Sequence, residues 1–389
     1  MSVITPDQLV GARSPIYITA GYSASASSFT DITLSVYIWN GARGSRPSSA
    51  QYTLFRDVFA GTDVSFDIAP LVAEYIENDY SSTSITATQA SIDKGIWWVQ
   101  IDYIVNYLNK ADPPVAVNAT GSSDIFPVSN GYHTFAEGSN FEIPSLFLNQ
   151  VNRVYIKESG NEVLPICIGK YGSEDVQEIL YNDGSGDYTI SLTSFHDPAQ
   201  PEGSIIDFPI GATNFTTYLT ALGFTGTMPT ALASYTLDLH SSSGSIDIVT
   251  IEKVCEPKYT INTIEFINRY GAWEHLHLFK ASQDSFNTAS EQYRRSLGTS
   301  STTGYSYDST DEMYRQYNTN GKTRTTLNTG FVIEGYKETI KDLMMSERVM
   351  LNGSPITVVS NSMTLQKSVN DKTINYTIEV EEAFDTRYV

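Results

Sequence analysis

The chain has 389 residues, enough for two or three domains with separate cores, and 41% of them are apolar, an ordinary share for a chain that folds in water. A formal net charge of −20, with acidic residues spread along the whole length, opposes phosphate backbones, so specific nucleic-acid binding is not expected. No stretch of about 18 uninterrupted apolar residues occurs, and the start, MSVITPDQLVGARSP, lacks a basic region before an apolar core; neither membrane insertion nor a secretory leader is expected.

Twenty-five tyrosines and 17 phenylalanines, with abundant Ser and Thr and no long Ala/Leu/Glu/Lys runs, favour strands over helices. The expected fold is mainly β: two or three antiparallel β-sandwich-like domains with a few short helices.

Residues 1–110 read as an N-terminal β-sandwich domain. Ile32, Leu34, Val36 and Ile38 alternate with polar residues before Asn40-Gly41, a hairpin dipeptide, and a further strand is expected over Gln51 to Phe55. Asp67 is placed to cap a short helix from Ile68 to Glu77, with Pro70 in its first turn. Ile96 to Leu108 is the longest apolar strand candidate. Its Trp97 and Trp98 point to opposite faces, so either one is core and the other a contact residue, or both are buried.

Residues 111–150 turn to Pro, Gly, Asn and Ser and read as a linker or surface loop. A middle β domain, 151–256, follows, with strands expected at Val154 to Ile156, Val163 to Ile168, Tyr188 to Leu192, Tyr235 to Leu239 and Ile246 to Val254, and a short helix over Asn214 to Leu222. The C-terminal β domain, 257–389, opens with two strand patterns around the turn-like Asn268-Arg269-Tyr270-Gly271. It carries an inserted polar arm, 283–326, to which Arg294, Arg295, Arg315, Lys322 and Arg324 give a local positive bias. A helix over 335–347 precedes a meander: Val349 to Leu351, Ile356 to Val359, Met363 to Lys367, a turn around Asn370-Asp371, and Thr373 to Glu381. In the last strand Ile374, Tyr376, Ile378 and Val380 share one face.

His275 and His277 at i and i+2 put two imidazoles on one strand face, but with no third ligand evident they read as half-exposed strand residues. Asp183-Gly184-Ser185-Gly186-Asp187 lacks the closing glutamate of a calcium loop and reads as a hairpin turn. Ser194, His196 and Asp197 are neighbours without a nucleophile elbow, and Glu379 with Glu381 lies on the wet face of a strand. Cys167 and Cys255 read as buried free thiols, the alternative being a disulfide in an oxidising compartment. No phosphate-binding glycine loop is present. No catalytic, cofactor-binding or metal residues are assigned, and the chain is not expected to be an enzyme.

The C-terminal third carries a resemblance. Phe266-Ile267-Asn268-Arg269-Tyr270-Gly271-Ala272-Trp273, the Leu327-Asn328-Thr329-Gly330 step, and Asn375-Tyr376-Thr377-Ile378-Glu379 with Asp385-Thr386-Arg387-Tyr388 resemble structural proteins of tailed bacteriophages, particularly phages and prophages of the Bacteroidetes and of marine hosts. The resemblance implies a virion subunit of the tail tip, baseplate hub or neck, in a homo-oligomer ring beside neighbouring virion tail proteins. An acidic lumen in such a ring would let DNA pass without pinning it. The residues expected at contacts are Trp97, Trp98, Arg294, Arg295, Tyr305, Tyr307 and Arg315. The alternative is an adhesin for a host receptor or glycan, with exposed aromatics stacking on sugar rings.

Overall fold

A computed structural model describes residues 3–20, 26–57, 63–76, 91–92, 96–144, 146–168, 176–182, 187–191, 204–221, 234–241, 243–254, 258–360 and 373–387. The fold is mainly β, built of antiparallel sheets with short helices. Its contacts divide it into two units: one of Met1–Glu256 with Glu265–His277 and Gly335–Glu347, the other of Pro257–Ile264, Leu278–Glu334 and Arg348–Val389.

The first unit begins with a sheet whose central strands, Ala26–Asn40 and Trp97–Asn109, are the long apolar runs of the sequence, paired antiparallel with Trp39 opposite Trp98. Alternation along Ile32, Leu34, Val36 and Ile38 delivers four side chains, each at most 2% exposed, to one core. A smaller sheet of Val3–Ile4, Tyr17–Ala20 and Val64–Asp67 supplies the facing residues Ile18 and Phe66. The helix expected near Asp67 spans Ala69–Ala73; the Asp67 carboxylate accepts the Ala69 and Ile16 amides, although the capping position itself is Ile68. Asn40-Gly41 does not close a two-residue hairpin, because the next strand begins only at Tyr52. The intervening loop is held by two indoles, with Trp39 Nε1 donating to Ala42 O at 3.1 Å and Trp98 Nε1 to Gly41 O at 2.9 Å.

The segment expected to be a linker is structured. Ala116–Ser122 pairs with Trp97–Asn109, and Phe126–Ser129 sits between that strand and Val10–Gly11. Phe126 and Val128 are fully buried, so the Pro and Gly around them mark turns inside a domain and no boundary.

A second core in the same unit lies between the sheet containing Val163–Ile168 and Ser204–Pro209 and the sheet of Arg153–Lys157, Gly244–Val254, Ser234–Ser241, Val176–Asn182 and Asp187–Ser191. Arg153–Lys157 runs parallel to Gly244–Val254, the exception in an otherwise antiparallel sheet. Helix Asn214–Ala221 brings Phe215 and Tyr218 into this core, where the Phe215 and Tyr235 rings stack at 5.2 Å. The acidic loop at 183–186 and Ser194 to Pro198 lie outside the described residues, as does Cys255; Cys167 is a buried free thiol.

The turn Asn268-Arg269-Tyr270-Gly271 organises the rest of this unit. Asn268 is 2% exposed and uses every hydrogen-bonding position of its amide. Oδ1 accepts Tyr270 N and Ala272 N, while Nδ2 donates to Leu148 O and to Glu274 Oε2 at 3.1 Å. Gly271 has φ +81°, and a Cβ there would meet the backbone of Asn130 and Gly131, so only glycine fits. Around the turn, Ser129 Oγ donates to Tyr270 O, Tyr132 N to Arg269 O, and Arg269 Nη2 reaches Glu137 Oε1 at 2.6 Å. Helix Tyr336–Met345, the one expected at 335–347, adds Asp342, which accepts Arg269 N and the Tyr132 hydroxyl.

The second unit contains Val349–Leu351, Ser354–Val358, Thr373–Glu382 and Tyr314–Ile333, paired in that order. Ile374, Tyr376, Ile378 and Val380 are buried, as the alternation requires. The strand expected at Met363 to Lys367 lies outside the described residues. The Leu327-Asn328-Thr329-Gly330 step is a β-bulge in which Thr329 and Gly330 together oppose Tyr376. Gly330 takes the left-handed conformation at φ +70°, and the Thr329 hydroxyl accepts Tyr376 N at 2.9 Å, replacing the ladder bond the bulge removes.

Candidate functional site

The polar arm of the second unit is an ordered antiparallel hairpin. Its outer strand, Gln283–Arg294, pairs with the inner strand, Tyr314–Ile333, from Gln283 opposite Thr326 to Arg294 opposite Tyr314. The composition fits: Tyr and Thr recur through Tyr314 to Thr326, and both suit a pleated surface without demanding a core. A small second hairpin, Thr299–Ser301 with Gly304–Ser306, lies between the two strands in sequence.

Neither face of the arm's far half is covered. All 12 residues of the outer strand are exposed, and so are the first five of the inner one. The near half is anchored because the inner strand also pairs with Thr373–Glu382. Lys322 and Arg324 there reach Glu381 at 3.8 and 3.4 Å, half-exposed pairs that contribute little stability. Beyond Gly321 the hairpin is a two-stranded ribbon, a form marginal in water when alone. Its own cross-strand contacts hold it: Tyr293 and Tyr317 meet edge to face at 5.8 Å, and Arg295 pairs with Asp311 at 3.1 Å. Glu291 takes a hydrogen bond from the Tyr317 hydroxyl and raises that phenol above its ordinary range. A bulge sets Ser290 against Asn318 and Thr319, with Asn318 at φ +49°.

Five of the residues expected at contacts lie on this arm. Arg294 is opposite Tyr314 and Arg315 opposite Tyr293, while Tyr305 and Tyr307 are 70% and 69% exposed. Phe286, Met313, Tyr314 and Tyr317, which the sequence reading did not single out, are exposed with them. The positive bias expected here does not hold over the whole segment. Asp284, Glu291, Asp308, Asp311 and Glu312 match the five basic residues of 283–326, leaving the arm neutral in a chain of net charge −20. Trp97 and Trp98 belong to the other unit. They point to opposite faces, and both are packed: Trp97 is half-buried 6.0 Å from the Tyr75 ring, and Trp98 is 2% exposed.

The histidine pair of the first unit is arranged differently from a metal centre. His275 and His277 rings lie 6.4 Å apart, and each faces its own carboxylate, Glu265 at 3.3 Å and Glu162 at 3.5 Å. Among the described residues no three His, Cys, Asp or Glu side chains converge as metal ligands. Burial, then the neighbouring His275 and Lys157, hold His277 neutral, well below the usual imidazole range. A cavity of about 20 Å³ beside them, lined by Glu162, Glu274, His277 and Tyr336, has room for one water and no substrate.

No protein-family model matches the chain, and no curated protein matches it. Solved structures with some likeness include a calcium-stabilised ice-binding adhesin of an Antarctic bacterium, at 9% identity and TM-score 0.19, covering 84% of this chain and 69% of that one. Another is the periplasmic chaperone SfaE, at 10% identity and TM-score 0.17, covering 65% and 99%. A protocadherin ectodomain matches at 12% identity and TM-score 0.15, covering 83% and 45%. At such scores none of them bears on what this chain does.

Proposed function

We propose that the protein is a structural subunit of a tailed-bacteriophage virion, working by assembly with copies of itself and with adjoining tail proteins. The observation that carries this reading is the arm: an ordered ribbon exposed on both faces, rich in Tyr and Arg, with an outer edge that no strand pairs among the described residues. Aromatic residues and arginine are the types that dominate protein contacts, and an unpaired edge is a template for another strand. The resemblance of the C-terminal third to tail proteins supplies the setting. The virion is then the place of work, after assembly in the host cytoplasm. An oligomeric ring whose acidic lumen passes DNA is consistent with the net charge of −20.

Removing residues 290–320 tests the reading. Expected is a chain whose two units unfold as before but which no longer assembles by size exclusion with light scattering; undiminished assembly overturns it. A second reading, an adhesin, is favoured by one feature, the exposed Tyr305 on a small hairpin with the exposed Tyr307 just after it, since tyrosine faces stack on sugar rings. Glycan-array binding lost in Tyr305→Ala with Tyr307→Ala decides for that alternative.

A further inference from the structure

The outer arm strand, Gln283–Arg294, ends the strand order of its sheet, and among the described residues no strand pairs its far side. The amides that face this open side follow from alternation. Arg295 donates its N–H to Met313 O at 3.0 Å, toward the inner strand. In an antiparallel ladder that direction reverses at each residue, and the extra residue of the bulge lies on the inner strand. Ala289, Glu291 and Tyr293 therefore share the direction of Arg295, while Thr288, Ser290, Gln292 and Arg294 turn their amides outward. Neither proline nor lysine blunts this edge.

We infer that the occupant of the edge is the same strand of a second copy, running antiparallel about a two-fold axis at Ala289. This rests on the reading of the arm as a contact between copies. Two chains of net charge −20 repel, and the neutral arm is where they meet at least cost. Hydrogen-bonded pairs across the new ladder must join outward residues to outward residues, which excludes every register that offsets them by one. Of the registers that remain, the one centred on Ala289 sets Asp284 directly opposite Arg294, once on each side of the axis. Phe286 then faces Gln292, and Thr288 faces Ser290. Centring on Thr288 sets Asp284 against the neutral Gln292, and centring on Ser290 leaves it beyond the end of the strand. A two-fold contact closes on itself, so the arm joins copies in pairs and the assembly has an even copy number.

Ala289→Cys in a Cys255→Ser background tests the axis. The two introduced thiols would sit at a non-hydrogen-bonded pair with Cα atoms about 4.5 Å apart, inside the roughly 4.4–6.8 Å that a disulfide spans. Expected is a covalent dimer under mild oxidation, whereas Ser285→Cys, whose mate is Tyr293, stays uncrosslinked. Asp284→Arg and Arg294→Asp should each weaken association about tenfold, and the double exchange should restore it. Gln292→Pro removes only an outward amide and should block pairing with the arm intact. If Ala289→Cys remains monomeric and the charge exchanges are silent while deletion of 290–320 abolishes assembly, the two-fold pairing is wrong and the arm reading stands. If the deletion is silent too, both fall.

Discussion

Glu274 is a carboxyl group held where a carboxylate is costly. It is 8% exposed and accepts hydrogen bonds from Asn268 and Thr339, yet burial first, then Asp342, pushes its pKa up to about 8. The folded protein keeps this proton through a range in which the unfolded chain, titrating near 4.5, has released it. Stability from this group is therefore fully present below about pH 4.5 and drains away as pH rises toward 8. Glu274→Gln keeps the shape and the acceptor for Asn268 and removes the titration. The melting temperature of the variant should fall less than that of the parent between pH 5 and 8, and an unchanged pH profile would refute the assignment. Nothing in the sequence reading anticipated this. Glu274 belonged to a strand pattern whose alternation placed it opposite the histidines, and only the closure of the Asn268 turn shows that its side chain is dry.

At the scale of the element, the bulge at Thr329-Gly330 and the arm beyond it differ in how far the sequence disclosed them. The strand Thr373–Glu382 was legible because its alternation survives intact; the bulge opposite it was visible only as a step that broke the pattern. Its geometry makes a definite demand. Gly330→Ala places a Cβ at φ +70° and within 2.9 Å of the Lys280 side chain, which can move aside, so the cost is that of the backbone, about 1–2 kcal/mol. Urea unfolding should report a loss of that size, and a neutral result would show that the strand can flatten without its kink. Strands missed in the sequence include Val176–Asn182 and Ser204–Pro209, whose polar flanks, rich in Gly, Ser, Asp and Pro, blur the pattern at their ends. Ala116–Ser122 was hidden by its own composition, Gly and Asn among small residues on an exposed strand. The strands of the arm were not legible because polarity without a buried face carries no period-two signal; Thr and Tyr content was the clue available.

For the whole molecule, charge is the property that sequence and structure describe in the same terms. A balance of −20 spread over the chain, with a neutral arm, makes salt a control on self-association. Raising ionic strength from about 0.05 M to about 0.5 M shortens the screening length from roughly 14 Å to roughly 4 Å, and copies should associate more tightly, as sedimentation equilibrium would record. Weaker association at high salt would mean that opposite charges dominate the contact. Domain limits were the least legible feature at this scale. Pro and Gly at 111–150 signalled a boundary where the chain is folding strands into a core, and residues 265–277 and 335–347 group with the first unit although their neighbours in sequence group with the second.

One placement has a practical side. The four tryptophans, Trp39, Trp97, Trp98 and Trp273, all fall in the first unit, and the arm contains none. Intrinsic emission excited at long wavelength thus reports the melting of that unit alone and is blind to the ribbon of tyrosines. A single indole introduced near Tyr305 would give the ribbon a spectral voice of its own.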